Sequence, residues 1–363
     1  MKPEDYSGTY NKIAKHFLNS MLSDDKNENI VFSPLSIVML MAIAAISCDG
    51  TAKEEIVNVL GADLTYEELK SVLIELQSVF SNSDSMKSSN AVCVQERIAD
   101  SIKPDFVERL SEFGGRLFAS KDIVRDVNEW VSKNTNGLIT EIADESIKNQ
   151  LACLMNAVAY TADWNKKYEE DDIFDDIFNN ADGTLSEASM LFSTERLYIE
   201  TEEYKGFAKP YKNSKYSFMA LLPNKHGTGP LKKMVRNADF TQIYKSGSKE
   251  KVYVTMPEFK CEYGKDLTAT MTEMGIRNVF SSEADFSPMS TEQLKIESVF
   301  HQVHIEVDRK GTKAAAATMA VLAGGCVMLD DTRIIDLNRP FVYSIVHNET
   351  GLPVFIGVMN RAD

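Results

Sequence analysis

Apolar positions recur at helical spacing through the first third of the chain and at strand spacing through the last. Ile13, Phe17 and Met21 stand four apart in residues 5–21, which predicts an opening amphipathic helix. Pro34 sits where a second helix begins, ahead of the apolar run 37–46 (IVMLMAIAAI). Thr51-x-x-Glu54 and Thr65-x-x-Glu68 have capping-box spacing and predict two more helix starts. Residues 104–113 and 123–131 read as two further helices. The period then changes. Residues 151–160, 216–222, 251–256 and 294–307 are extended, while 341–347 and 353–359 flank a turn at 348–351 and read as a hairpin. No long linker, low-complexity tract or repeat interrupts this order. Helices early and strands late predict an α+β chain folded as one entangled unit.

Composition leaves this picture in place. The 363 residues are 44% apolar and 26% charged, and they suffice to bury a large core without disulfide or metal staples. Charge excludes more. Against 39 basic residues stand 54 acidic ones, a formal net charge of −15 that opposes nucleic-acid binding and anionic membrane surfaces. The run 37–46 falls well short of the roughly 20 residues a bilayer crossing needs. The opening MKPEDYSGTYNKIAKHF has no apolar signal segment, so location stays open: extracellular or cell-surface if a signal was trimmed.

The familiar catalytic signatures are missing. There is no GxSxG, HExxH, GxxxxGK[ST] or strand-linked GxGxxG. HGTGPLKK at His226 lacks a third glycine and reads as a surface turn. His301 and His304, three apart in an extended stretch, point to opposite faces and share no metal. The acidic run 169–176 (EEDDIFDD) lacks calcium-loop spacing and reads as a solvated connection. The sequon at Asn348 lies in the hairpin turn. Cys48, Cys93, Cys153, Cys261 and Cys326 show neither CxxC nor zinc spacing, and four of them read as small core residues. No cofactor is implied, and the chain does not read as an enzyme.

The unusual stretch is 311–331, GTKAAAATMAVLAGGCVMLDD. Its alanines are compatible with a buried helix. Yet it has no caps, it is too apolar for a solvated linker, and structureless loops of about 20 residues are usually functional. At period two, Thr312, Ala314, Ala316, Thr318, Ala320 and Leu322 share one uncharged face. Such a segment can slide between two existing strands.

Over its whole length the chain resembles a serpin, a member of the serine protease inhibitor superfamily. The hinge Gly311, Thr312, Lys313, Ala314, Ala315, Ala316, Ala317 and Thr318 is similar to the inhibitory pattern of that family. Residues 29–36 (NIVFSPLS) resemble the start of its helix B, and 126–131 (DVNEWV) with 135–139 (TNGLI) its helix F. Residues 156–160 (NAVAY), ending near Trp164, resemble the third strand of its sheet A. Residues 338–341 (NRPF) and 355–357 (FIG) resemble its C-terminal signature. Short connections and the alanine-rich hinge look like a prokaryotic member. Residues 161–163 (TAD) depart from the usual Phe/Lys/Gly before the tryptophan, which leaves that local contact open.

The resemblance implies a single serpin domain over 1–363. About nine helices would surround three β-sheets, with an exposed reactive-centre loop at about 309–331. It implies a monomeric suicide substrate: a serine protease cleaves the loop, forms an acyl-enzyme, and is trapped as the loop inserts into sheet A. Counting about 14 residues from Gly311, as in the family, gives the reactive bond Gly325–Cys326, with bonds at Val327, Met328 and Leu329 as alternatives. A small or aliphatic residue before the bond suits an elastase-like or subtilisin-like protease, and Cys326 becomes the exposed thiol. Ser33, Ser36, Asn156 and His301 align with the family's shutter, and Trp164, Glu258 and Arg309 with its breach. At Glu258 and Arg309 both members of the usual ion pair have reversed sign, which suggests that the pair survives with its polarity swapped. No basic helix marks a heparin site. The alternative is a non-inhibitory serpin acting as carrier or chaperone, for which the uncharged hinge is a poor match.

Overall fold

The computed structural model describes residues 2–23, 27–61, 63–81, 85–212, 215–312 and 333–362. They group into two compact units, each discontinuous in sequence. The first comprises residues 1–16, 33–159 and 263–304, the second residues 17–32, 160–262 and 305–363. Among the described residues there are nine α-helices and sheets of six, five, four and two strands. No helix among them is long and apolar enough to cross a membrane.

The first unit holds most of the five-stranded sheet. Its order is Phe259–Asp266, Ser298–Val307, Ala152–Tyr160, Met86–Gln95, Gly115–Ser120. Ser298–Val307 and Ala152–Tyr160 lie side by side in parallel, from Ser298 opposite Cys153 to His304 opposite Ala159. Every residue of Ala152–Tyr160 is buried, as expected of a central strand covered on both faces. Helix Ile123–Asn134 lays Ile123 and Val127 on Ala91, Cys93, Cys153 and Met155 of this sheet. Helix Pro34–Ser47 is buried along its whole length, which explains the apolar run 37–46 within it.

The second unit holds the other sheets. The six-stranded one runs Ile30–Phe32, Pro353–Met359, Phe341–His347, Tyr216–Pro223, Tyr204–Pro210, Leu197–Glu200. Gly357 is needed there, because a Cβ would lie 2.4 Å from the Tyr343 hydroxyl and 2.6 Å from the Ile30 carbonyl oxygen. The four-stranded sheet runs Arg333–Asp336, Val252–Pro257, Leu185–Glu195, Ile173–Asn179. Gly311–Thr312 pairs with Ala162–Asp163 as a separate two-stranded ribbon.

Several local expectations change. The third helix opens at Gly50, so Thr51 lies inside its first turn and does not cap it. The Thr65–Glu68 box is reciprocal: each backbone N–H is bonded to the other residue's side chain. The acidic run 169–176 is not a mere connection, because it enters a short 3-10 turn and then strand Ile173–Asn179. Its alternation is hidden because, among the described residues, that strand pairs only with Leu185–Glu195 and keeps most of its side chains outward. Residues 294–297 precede their strand, which starts at Ser298. Cys48, Cys93, Cys153 and Cys261 are buried and in no disulfide among the described residues. Cys326 lies outside the described residues.

Candidate functional site

Two sites expected from the sequence are described side by side in the chain but belong to different units. In the second unit the hinge is anchored by its backbone. Gly311 lies opposite Asp163 and Thr312 opposite Ala162 in antiparallel register. Only glycine fits at 311, since a Cβ would lie 2.0 Å from the Ala162 carbonyl oxygen and 2.6 Å from the Asp163 Cα. Thr312 is wholly buried, its Oγ1 2.8 Å from the Tyr211 hydroxyl. The four carbonyls before it are all used. The Trp164 indole N–H donates to Asp308 O at 2.8 Å. The Tyr168 and Trp164 backbone N–H groups donate to Arg309 O and Lys310 O at 3.1 and 2.9 Å, and Asp308 N–H donates to Gly311 O at 2.9 Å. The Asp308 carboxylate accepts from the Lys310 and Gly311 N–H groups at 2.7 and 2.8 Å, closing the turn. Burial raises the pKa of that carboxyl.

Trp164 is 1% exposed and stacks on Tyr211 with centroids 4.6 Å apart and planes 8° from parallel. Beside it, Arg309 meets Glu258 through both ends of its fork: Nη2 to Oε2 at 2.7 Å and Nε to Oε1 at 3.0 Å. Glu258 Oε1 also accepts the Arg309 backbone N–H at 2.9 Å. The hydrogen bonds from the guanidinium to Glu258 push the Arg309 pKa up. Trp164, Glu258 and Arg309 are therefore brought together around the turn 308–311.

In the first unit, Asn156 and His301 are register partners on adjacent strands. His301 Nε2 accepts the Ser33 backbone N–H at 2.9 Å, so its Nδ1 carries the proton that reaches Asn156 Oδ1 at 2.9 Å. Asn156 Nδ2 donates to Asn90 Oδ1 at 2.8 Å, with Ser88 Oγ and the Ser89 carbonyl each at 3.3 Å. Ser33 caps helix Pro34–Ser47 by accepting the Ser36 N–H at 3.3 Å. The Ser36 hydroxyl itself has no partner among the described residues. Burial pushes the His301 pKa down to about 3, and protonating Nε2 would also set a donor against the Ser33 N–H.

Sequence reasoning missed Asn90, Ser88, Asp308 and Tyr211. The Asp308 turn has a local signal in an aspartate three residues ahead of a glycine. The other contacts join distant segments and leave no local trace. Lys313 to Thr318 of the hinge, and Gly325, Cys326, Val327, Met328 and Leu329 around the reactive bond, lie outside the described residues. Among the described residues no group of three or more His, Cys, Asp or Glu side chains is placed to hold a metal ion.

Comparisons with known proteins place the chain in a family. The sequence model of the family Serpin (serine protease inhibitor) matches residues 9–361. The chain is a serpin. Members of this family are in general protease inhibitors rather than enzymes. The crystal structure of the thermophilic serpin tengpin in its native state is similar at TM-score 0.86 and 31% identity, covering 98% of this chain and 94% of that one. An uncharacterized serpin-like protein of Thermococcus kodakarensis is 29% identical over 93% of this chain and 82% of its own length. Leukocyte elastase inhibitor A of Mus musculus is 25% identical over 98% of both chains. Relatives therefore include prokaryotic serpins.

Two predictions follow from these contacts. His301 is neutral in the fold, with a pKa below its unfolded value near 6.5. Its contribution is complete above about pH 6.5 and is lost as pH falls toward about 3, because only the unfolded chain takes up the proton. His301→Gln should flatten the fall in urea midpoint between about pH 6 and 4, by up to ~1.4 kcal/mol per pH unit; identical slopes would reject a neutral buried His301. For the ion pair, 33% and 19% exposed, the energy is only about 1 kcal/mol. Arg309→Glu should speed heat-induced loss of monomer. Adding Glu258→Lys should restore part of the lifetime but not all, since lysine cannot accept the Arg309 N–H. Strictly additive rates in this double-mutant cycle would mean that the pair is uncoupled.

Proposed function

We propose that this serpin inhibits serine proteases as a suicide substrate. The observation that carries the reading is the hinge anchor: Thr312 is buried and already paired with Ala162, while Ser298–Val307 and Ala152–Tyr160 pair with no strand between them. A loop cleaved beyond the hinge can extend that pairing along Ala152–Tyr160. The protease Ser attacks the carbonyl of the residue before the scissile bond and expels the new amino terminus, leaving an acyl ester. About 14 inserted residues carry the tethered protease roughly 45 Å. At about 1 kcal/mol net per ladder hydrogen bond, insertion releases on the order of 10 kcal/mol. Distortion of the protease's catalytic groups then stalls hydrolysis, since small misplacements are costly.

In this reading Ser33, Ser36, Asn156 and His301 form the gate that parts, and Trp164, Glu258, Arg309 and the turn 308–311 hold the point where insertion starts. The whole of 1–363 acts as one domain. Gly325–Cys326 is the favoured reactive bond, and the small and aliphatic residues around it favour an elastase-like or subtilisin-like target.

The test is incubation with elastase-like, subtilisin-like and trypsin-like proteases, followed by denaturing electrophoresis. An SDS-resistant complex with the first two classes is expected; cleavage of the loop by these proteases without any complex would reject inhibition. Thr312→Arg places a charge where Thr312 now meets Tyr211, and burying it is costly. That variant should be cleaved as a plain substrate, with the stoichiometry of inhibition raised at least several-fold. Unchanged stoichiometry would mean that Thr312 does not travel with the inserting strand.

A further inference from the structure

The second unit contains a cavity of about 640 Å³ that the inhibitory reading does not use. Its floor is a buried ion pair. Lys209 Nζ lies 2.8 Å from Glu195 Oε1, with side chains only 3% and 8% exposed. The same ammonium lies 4.4 Å from the Tyr168 ring centroid and 5.4 Å from that of Trp164. Leu197, Pro210 and Tyr244 supply apolar wall. Lys166, Arg196, Lys249 and Lys251 also line it.

The charge balance here is opposite to that of the chain. Both acids on the lining are already engaged, Glu195 by Lys209 and Glu250 by Arg333. Lys251 lies over the Tyr253 ring and makes no ion pair with a carboxylate among the described residues. Lys166, Arg196 and Lys249 are exposed. Four cations therefore face one concavity with no unpaired carboxylate on its lining, in a protein whose net charge is −15. A concave low-dielectric wall focuses such a field on whatever enters. Its volume and mixed lining are those of a small-molecule pocket: apolar surface for a body, polar groups for orientation.

We propose that this cavity binds a small amphipathic organic anion, an aromatic or aliphatic body bearing a phosphate or sulfate group. The apolar body rests on Leu197, Pro210 and Tyr244, and the anionic group is met by Lys166, Arg196 and Lys249. The Lys209–Glu195 pair stays closed beneath it, so the floor is neutral and the selectivity for anions comes from the rim.

The experiment is calorimetric titration of the full chain with 1-naphthyl phosphate, with 1-naphthol as the uncharged control. One site per chain is expected, with affinity falling as salt is raised and 1-naphthol at least tenfold weaker. Lys166→Glu, Arg196→Glu and Lys249→Glu change exposed side chains and should leave the unfolding midpoint in place. Each should weaken binding about tenfold, and Lys233→Glu, outside the cavity, should not. Absence of binding, equal binding of 1-naphthol, or affinity unmoved by the three rim reversals would overturn the proposal. Trapping of proteases is a separate readout, so failure here leaves the inhibitory reading standing, and the reverse.

Discussion

The structure turns on a two-residue ribbon. Gly311 and Thr312 are held against Ala162 and Asp163 by backbone pairing, and the carbonyls of residues 308–311 all find donors. Buried backbone groups demand such partners. The demand explains why a tryptophan, a tyrosine, an aspartate and a glycine meet here. It also fixes the antiparallel register of Gly311 and Thr312 against Asp163 and Ala162.

The Asn156–His301 cluster is under a different constraint. Asn156 and His301 are buried polar groups, costly when unpaired and cheap when mutually satisfied. Ser33, Asn90, Ser88 and the Ser89 carbonyl satisfy them with few capacities left over. Two adjacent strands are thus joined by side chains as well as by their ladder. Separating these two strands would break several of these bonds together. The neutral state of His301 is part of this joint, because its Nε2 must remain an acceptor.

Much of this was legible in the residues. The resemblance to the family pointed to Ser33, Asn156 and His301, and the structure joins them through hydrogen bonds. The reversed signs at Glu258 and Arg309 pointed to a pair, and the two side chains meet in a bidentate contact. The departure at 161–163 did not disturb the hinge ribbon, because the pairing there uses backbone groups and needs only the absence of a side chain at Gly311. Other features had no local signal. Strand Met86–Gln95 begins MKSSN, too polar to alternate, because Ser88 and Asn90 face Asn156 and not a greasy core. Tyr211 is separated by 101 residues from the Thr312 hydroxyl it meets. The Lys209–Glu195 pair, 14 residues apart, required knowing that two strands fold back on one cavity.

The central claim is that the intact chain holds an unspent strand. It is tested most directly by cutting the loop between residues 324 and 329 with a protease that turns it over, and comparing the thermal unfolding midpoints of the cut and intact proteins. Insertion predicts a cut form that unfolds far above the intact one, since it gains a full ladder of hydrogen bonds and buries the small face that continues from Thr312 to Leu322. Equal midpoints would contradict the account, because the loop would then have nowhere to go.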